Sequence, residues 1–242
     1  MIQLFAIAIA LWAGAAGPPS IPGRTPVVVE LFTSEGCSDC PPADMLLKTL
    51  ETEQPIPGIE VIPLGFHVDY WNDLGWRDRF SEHAFTERQV KYVDSLRLES
   101  PYTPQIIVDG KIDVVGNEVK KVLHAIQERA KAAKANVSLK NAGPGAVDVS
   151  IDHAADDADV MLALTETSLS TNVPAGENRG RELHHTAVVR SLTRMGTTKD
   201  GAFHAQFRLA LHSDWHRENL RAVVFLQRTN GEILGAATVP LR

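Results

Sequence analysis

Cysteine is scarce in this chain, because only Cys37 and Cys40 occur among its 242 residues. Structural zinc sites usually need two pairs of Cys or His ligands at comparable spacing, and a second Cys pair is missing here. The two cysteines instead form one Cys-x-x-Cys motif. Its chemistry is the first question that the sequence raises.

Runs of basic residues are missing as well. The formal charge is −6 and the sequence pI is near 5.8, which argues against a nucleic-acid-binding surface. With 44% hydrophobic and 22% charged residues, the composition is that of an ordinary globular protein. The length allows one large domain or two small ones.

The N-terminal apolar run, from Leu4 through Trp12, is shorter than the roughly 20 residues that a membrane-spanning helix needs. Small residues follow it, as at a secretory cleavage site, so residues 1–16 are predicted to be a signal peptide although their n-region lacks Lys and Arg. Residues 17–24, rich in Pro and Gly, are predicted to be a linker. We therefore expect a periplasmic or secreted protein with no membrane span in its mature chain.

The Cys-x-x-Cys motif follows a strand-like apolar run at 27–32 and opens a helix-like stretch that begins with Pro41 and Pro42. Unpaired N–H groups and the positive dipole end of a helix favour a thiolate, so Cys37 is the predicted nucleophile. Cys40, one turn further on the same side, is predicted to resolve the mixed disulfide. The pattern favours thiol–disulfide exchange with a protein or small-molecule thiol, without a cofactor.

Two other uses of these cysteines stay open. One is a structural disulfide in a non-catalytic interaction protein, although closing so short a loop stabilises a fold by only about 2 kcal/mol in the loop-closure model. The other is a metal-binding or metal-delivery module in which Cys37, Cys40 and His67 hold copper, because thiolate and imidazole ligands suit that metal.

Strand and helix signals alternate over residues 25–134. In order, they predict a strand at 27–32, a helix from Pro41, a strand at 59–68, a helix through Phe85, Tyr92 and Leu96, strands at 105–108 and 111–115, and a helix from Val119 to Ala130. Asp109-Gly110, between the two short strands, is a strong hairpin signal. This β-α-β-α-β-β-α order is similar to that of the thioredoxin fold.

Thr103-Pro104 precedes the third predicted strand, where thioredoxin-like proteins carry a cis-proline beside the Cys-x-x-Cys motif. We expect a cis bond there, with Thr103 presented to an extended substrate chain. A strand-initiating trans proline is the alternative.

From residue 135 to 242 the pattern changes to about seven short β-rich runs, which predict an all-β sandwich. The predicted fold class is therefore α/β, with a thioredoxin-like domain at 25–134 followed by a β-sandwich domain at 135–242. We expect the sandwich to recruit a substrate or a partner protein.

Several segments carry a resemblance to a known family. They are VELFTSEGCSDCPPAD at 29–44, HVDYW at 67–71, GW at 75–76, YTPQ at 102–105 and GENRGR at 176–181. On these segments the chain resembles the domain-of-unknown-function 1223 family over nearly all of its mature length. The resemblance implies a secreted protein with a thioredoxin-like fold, and it implies no substrate.

His67, Asp69 and Trp71 follow the second predicted strand and should emerge at the sheet edge from which the Cys helix starts. His67 can act as a general base or stabilise a thiolate, and Asp69 can orient it. The alternative is an ordered loop in which Trp71 only caps the core.

Glu30, in the first strand, is similar in place to the buried carboxylate with which thioredoxins assist proton transfer at the second cysteine. Its spacing from Cys37 is one residue longer, which reverses its side of the strand unless the loop between them compensates. A solvated carboxylate is the alternative.

Two further features lie in the second half. The loop 176–181 can bind a carboxylate, dock on the first half through its arginines, or be a solvated turn. No role is assigned to the histidines of this half, which are His184, His185, His204, His212 and His216.

Overall fold

The computed structural model describes residues 23–154 and 157–241. The predicted signal peptide at 1–16 lies outside the described residues, as do positions 17–22 of the predicted linker. Among the helices of the described residues, none is long and apolar enough to cross a membrane.

The first half has the predicted order of elements. Its strands are β1 (Thr25–Thr33), β2 (Ile59–His67), β3 (Gln105–Val108) and β4 (Ile112–Val115), and its helices are α1 (Pro41–Glu53), α2 (His83–Leu96) and α3 (Val119–Ala130). β1 pairs parallel with β2 and antiparallel with β3, which pairs antiparallel with β4. This arrangement is a mixed sheet in the order β2-β1-β3-β4.

Helices cover both faces of this sheet, and the side chains of β1 alternate between them. Val27, Val29 and Leu31 share one core cluster with residues of α1 and α3. Val28 and Phe32 point to the other face, where α2 packs. Burial on both faces explains why β1 reads as a nearly continuous apolar run rather than an alternating one.

The second half is built almost entirely of strands. They are β5 (Asn136–Asn141), β6 (Ala146–Asp152), β7 (Asp159–Glu166), β8 (Leu169–Asn172), β9 (Glu182–His185), β10 (Val188–Thr197), β11 (Phe203–Arg208), β12 (Leu220–Gln227) and β13 (Ile233–Pro240). A short 3-10 turn at Arg217–Asn219 precedes β12.

Four of these strands extend the sheet of the first half. Over the described residues, one mixed sheet of eight strands runs in the order β13-β12-β7-β10-β2-β1-β3-β4. The two halves join where β10 lies parallel to β2 at the pair Val188 and Gly65. A smaller sheet, β11-β6-β5, packs its apolar side against β7 and β12, and β8 and β9 form a hairpin.

The prediction of a separate all-β sandwich is therefore only partly right. Two sheets do pack together, but the larger one continues into the first half. Alternating hydrophobicity identifies a strand without identifying its partner, which is why the local pattern missed this continuity. A domain boundary at residues 134–135 stays a prediction.

The turn Asp109-Gly110 forms the predicted hairpin between β3 and β4 and also contacts the second half. Gly110 has φ +65°, and a Cβ on it would lie 1.8 Å from the carbonyl oxygen of Gly231. Only glycine fits this position, because it tolerates the left-handed backbone and leaves room for the facing turn. The N–H of Ile233 donates to the Asp109 carbonyl at 2.9 Å.

A buried ion pair lies at the face of the sheet that α2 covers. Arg88 of α2 donates to both carboxylate oxygens of Glu30, at 2.6 and 3.0 Å, and the Tyr92 hydroxyl donates to the same carboxylate at 2.5 Å. Gln227 of β12 donates to the Tyr92 oxygen at 2.8 Å. The network therefore links a strand and a helix of the first half to a strand of the second.

Replacing Glu30 by Ala is expected to lower the free energy of unfolding by about 3–5 kcal/mol, because it leaves the guanidinium of Arg88 buried without its counter-charge. Urea denaturation of the two proteins measures this difference. Lys121→Ala, which removes an exposed ion pair with Glu118, is the control and should leave the midpoint almost unchanged. Equal midpoints for Glu30→Ala and the wild type would contradict the assigned role.

Candidate functional site

Cys37 and Cys40 form a disulfide immediately before α1. The N–H of Cys40 donates to the Cys37 carbonyl at 3.3 Å, and the Cys40 carbonyl accepts from the N–H of Ala43 at 2.9 Å. Pro41 and Pro42 occupy the first helical turn, where no donor is required. The predicted placement of the motif at a helix start is confirmed.

The Thr103-Pro104 peptide is cis, as the sequence predicted. Trp71 connects it to the loop between β1 and α1, residues 34–40, which carries both cysteines and which we name the disulfide loop. The indole Nε1 of Trp71 donates to the Thr103 hydroxyl at 2.9 Å. Trp71 also packs closely on Gly36, because a Cβ added to Gly36 would lie 3.0 Å from the Cβ of Trp71. The structure thus brings the disulfide loop, Trp71 and Thr103-Pro104 into one region.

Gly116, just after β4, packs between Pro104 and the start of α1. A Cβ at this position would lie 2.9 Å from the Cβ of Ala43 and 3.0 Å from that of Pro104. The absence of a side chain lets the cis-proline loop approach the helix that follows Cys40.

His67 is buried at the end of β2, and its partner is Asp78 rather than Asp69. Its Nδ1 lies 2.6 Å from Oδ2 of Asp78, which also accepts from the N–H of Glu35 at 2.9 Å. Burial alone would raise the pKa of Asp78, but His67 and the backbone hydrogen bonds outweigh burial and leave this pKa below its ordinary value.

The prediction that Asp69 orients His67 is therefore wrong. The chain leaves the sheet after β2, and the Asp69 carboxylate turns to the start of α2, where it accepts from the Thr86 hydroxyl at 2.6 Å and lies 3.0 Å from Nδ1 of His83. These contacts outweigh a raising effect of burial and lower the pKa of Asp69.

Glu35 and His185 form a second buried pair next to the first. Oε1 of Glu35 lies 3.2 Å from Nε2 of His185, and Oε2 accepts from the indole of Trp76 at 2.8 Å. The rings of His67 and His185 meet edge to face with centroids 4.8 Å apart. Two carboxylate–imidazole pairs therefore lie in contact beside the disulfide loop.

Asp44 adds a third carboxyl to this region. It lies in α1 four residues after Cys40 and hence on the same side of the helix, with 8% of its surface exposed. Burial raises its pKa to about 7, the nearby Asp78 and Glu35 carboxylates also raise it, and His185 opposes the shift. We name Glu35, Asp44, His67, Asp78 and His185 the polar cluster.

Of the polar cluster, sequence reasoning identified only His67. The four-residue spacing of Asp44 from Cys40 is a signal that could have singled it out. Glu35 and Asp78 lie in loops where polar residues are common, and His185 comes from the other half of the chain. Glu35 stands only two residues before Cys37, a signal that could have singled it out, whereas no local pattern connects Asp78 or His185 to the cysteines.

Glu30 does not join this region, because strand alternation directs it to the α2 face while α1 packs on the opposite one. The longer spacing from Cys37 is thus not compensated by the loop. Glu30 is fully buried in its ion pair with Arg88, so the alternative of a solvated carboxylate is also wrong.

The described residues contain no assembled set of ligands for copper. Within residues 23–154 and 157–241, no group of three or more His, Cys, Asp or Glu side chains has an arrangement that could hold a metal ion. Cys37 and Cys40 are bonded to each other, and His67 is hydrogen-bonded to Asp78.

The loop 176–181 docks on the first half, but through Glu177 and Asn178 rather than its arginines. The Asn178 amide donates to the carbonyls of Glu35 and Cys37 at 2.9 and 2.8 Å. The Glu177 carboxylate accepts from the N–H of Ser38 at 3.1 Å. The second half thus covers the disulfide loop.

These features define a mixed α/β protein with a large mixed sheet and a Cys-x-x-Cys disulfide at a helix start. The model of the family described as "Protein of unknown function (DUF1223)" matches residues 28–227, and the chain belongs to this family. The resemblance found in the sequence is therefore confirmed. The family description assigns no activity.

Solved structures add one informative neighbour. The crystal structure of a protein from Agrobacterium tumefaciens is 29% identical, with a TM-score of 0.74, and the match covers 89% of this chain and 94% of that one. An endonuclease/exonuclease/phosphatase from Beutenbergia cavernae is 18% identical over 45% of this chain and 24% of that one, and its TM-score of 0.19 is too low to carry an argument. No curated protein matches the chain.

The raised pKa of Asp44 predicts a specific dependence of stability on pH. The folded state keeps the proton up to about pH 7, whereas the unfolded state releases it near 3.8. The free energy of unfolding should therefore fall as the pH rises between these values and level off above them. Asp44→Asn should remove this decline, which amounts to about 4 kcal/mol at most.

Urea denaturation of both proteins at intervals from pH 4 to pH 8, with the disulfide intact, measures the effect. Asp39→Asn, which changes an exposed carboxyl in the loop just before α1, is the matched control and should keep the wild-type profile. Parallel profiles for the wild type and Asp44→Asn would show that Asp44 ionises normally.

Proposed function

We propose that this protein is an exported thiol–disulfide oxidoreductase whose first half is a thioredoxin-like domain. The observation that carries the proposal is the position of the Cys37–Cys40 disulfide at the start of α1, with Trp71 linking its loop to the cis Thr103-Pro104 peptide. A disulfide at a helix start is the setting in which a thiolate is stabilised by the helix dipole.

In the oxidising direction, a substrate thiolate attacks the sulfur of Cys37 and the bond to Cys40 breaks. Cys40 leaves as a thiolate, and a second substrate thiolate then attacks the substrate sulfur of the mixed disulfide and releases Cys37. The substrate dithiol becomes a disulfide, and the protein takes up two electrons and two protons. The reducing direction is the reverse.

Asp44 supplies a site for one of these protons. Its carboxyl follows Cys40 by one helical turn, and its pKa of about 7 allows it to hold or release a proton near neutral pH. We assign it the role of protonating the Cys40 thiolate as that group leaves, and of removing the proton in the reverse direction. Thr103-Pro104 orients the substrate chain, and Trp71 holds the Thr103 hydroxyl.

A structural disulfide is the second candidate, because Cys37 is 1% exposed and Cys40 fully buried. In that case the protein would be a non-catalytic binding protein, with the second half as its recruiting surface. Burial of both cysteines protects a disulfide from thiols in solution. The reduction potential separates the two candidates.

The test is to equilibrate the protein with glutathione buffers and to separate its oxidised and reduced forms after alkylation. An exchange catalyst is expected to have a reversible potential between about −120 and −270 mV. We expect a value at the reducing end of this range, because the carboxylates of the polar cluster disfavour a nearby thiolate. A value below about −300 mV would identify a structural disulfide instead.

Single serine variants test the assigned order of attack. Cys37→Ser should lose exchange activity and form no mixed disulfide, because the attacked sulfur is gone. Cys40→Ser should accumulate a stable mixed disulfide at Cys37, because the resolving thiol is missing. Non-reducing mass spectrometry after incubation with a peptide disulfide distinguishes the products, and each variant controls for the other. Trapping at Cys40 in Cys37→Ser would reverse the assignment.

A further inference from the structure

The tip of the β8–β9 hairpin, residues 173–181, lies across the disulfide loop, and we name it the strap. Two main-chain bonds close it at its base. The N–H of Val173 donates to the Arg181 carbonyl at 2.9 Å, and the N–H of Gly180 donates to the Val173 carbonyl at 2.7 Å. The strap is therefore a defined turn held by its own hairpin.

Asn178 is the main anchor of the strap on the disulfide loop. It is fully buried, and both of its contacts there are made by the amide nitrogen, which donates to the carbonyls of Glu35 and Cys37. Arg181 donates to the side-chain oxygen of Asn178 at 3.0 Å. This bond turns the amide so that its nitrogen faces the two carbonyls.

Two further contacts complete the cover. The Glu177 carboxylate accepts from the N–H of Ser38, between the two cysteines, and hydrogen bonds from Ser38 lower the pKa of Glu177. Gly176 packs on the next loop, where a Cβ would lie 3.0 Å from the Cβ of Trp76. The strap thus touches the residues before, between and beside the cysteines.

The burial of the two cysteines has a direct chemical consequence. Thiol–disulfide exchange requires a thiolate to reach one of the two sulfurs, and access limits the rate. Cys37 and Cys40 are 1% and 0% exposed with the strap in place. In the form described here, an attacking thiolate has almost no sulfur surface to meet.

We propose that the strap is a movable cover that shields the Cys37–Cys40 disulfide and must lift before exchange. The inference deepens the oxidoreductase proposal by adding control of access to the same site. A few hydrogen bonds hold the strap, and Glu177 and Ser38 lie at the surface. Segments with few buried contacts are those that open without global unfolding.

The experiment measures the rate at which dithiothreitol reduces the oxidised protein, followed by alkylation and mass spectrometry. Asn178→Ala removes both hydrogen bonds from the Asn178 amide to the disulfide loop. We expect this variant to be reduced about 10- to 30-fold faster than the wild type. Glu177→Ala removes the surface contact and should give an increase of about threefold. Arg179→Ala, exposed on the same strap and outside the anchoring bonds, should leave the rate unchanged.

Near-ultraviolet circular dichroism and thermal midpoints show whether each variant remains folded. If Asn178→Ala does not fold, Glu177→Ala decides alone, because its exposed side chain is not needed for packing. The proposal would be overturned if folded Asn178→Ala and Glu177→Ala were reduced at the wild-type rate. It would also be overturned if Arg179→Ala were reduced as fast as these two variants.

A turnover assay with a peptide disulfide separates this proposal from the proposed function. Faster reduction of the variants without turnover in any of the proteins supports a cover and refutes the oxidoreductase. Turnover in the wild type together with unchanged reduction rates refutes only the cover.

Discussion

The join between β2 and β10 is the constraint on which the candidate site depends. The N–H of Gly65 donates to the Ala187 carbonyl at 2.8 Å, and a Cβ on Gly65 would lie only 3.3 Å from the Thr186 carbonyl oxygen. The join lies directly after β9, whose last residue, His185, contacts Glu35, and the strap that precedes β9 contacts the same loop.

The three carboxyls of the polar cluster are buried close together, so they cannot all carry a charge unless each has a partner. Asp78 pairs with His67 and Glu35 with His185, so each buried carboxylate has an imidazole beside it. Burial is the main reason that the pKa of Asp44 is raised, and repulsion from the Asp78 and Glu35 carboxylates adds to it. The same cluster therefore lowers the pKa of Asp78 and raises that of Asp44.

Much of the first half could be predicted from the sequence, because its signals are local. The Asp109-Gly110 turn, the apolar run of β1 and the prolines after Cys40 each specify a nearby conformation. The site is only partly predictable. His185 and Asn178 contact the disulfide loop from the second half, whose pairing with the first half has no signature in hydrophobic alternation. The place of Asp69 is not predictable in this way, because the direction of the chain after β2 depends on tertiary contacts such as those with Thr86 and His83.

The burial of the disulfide alone favours a structural role, but the groups that contact its loop argue for control of access to the sulfurs. A structural disulfide is usually enclosed by apolar side chains of the core, whose removal from water opposes exposure. Here Cys37 and Cys40 belong to none of the apolar core clusters in the described part of the chain. The strap meets their loop through the Asn178 amide and the Glu177 carboxylate, which bond to main-chain groups of Cys37 and Ser38 and which water can solvate if the strap lifts. Because the net free energy of a neutral hydrogen bond is only about 1 kcal/mol, such a cover can open at a small cost, whereas an apolar core cannot.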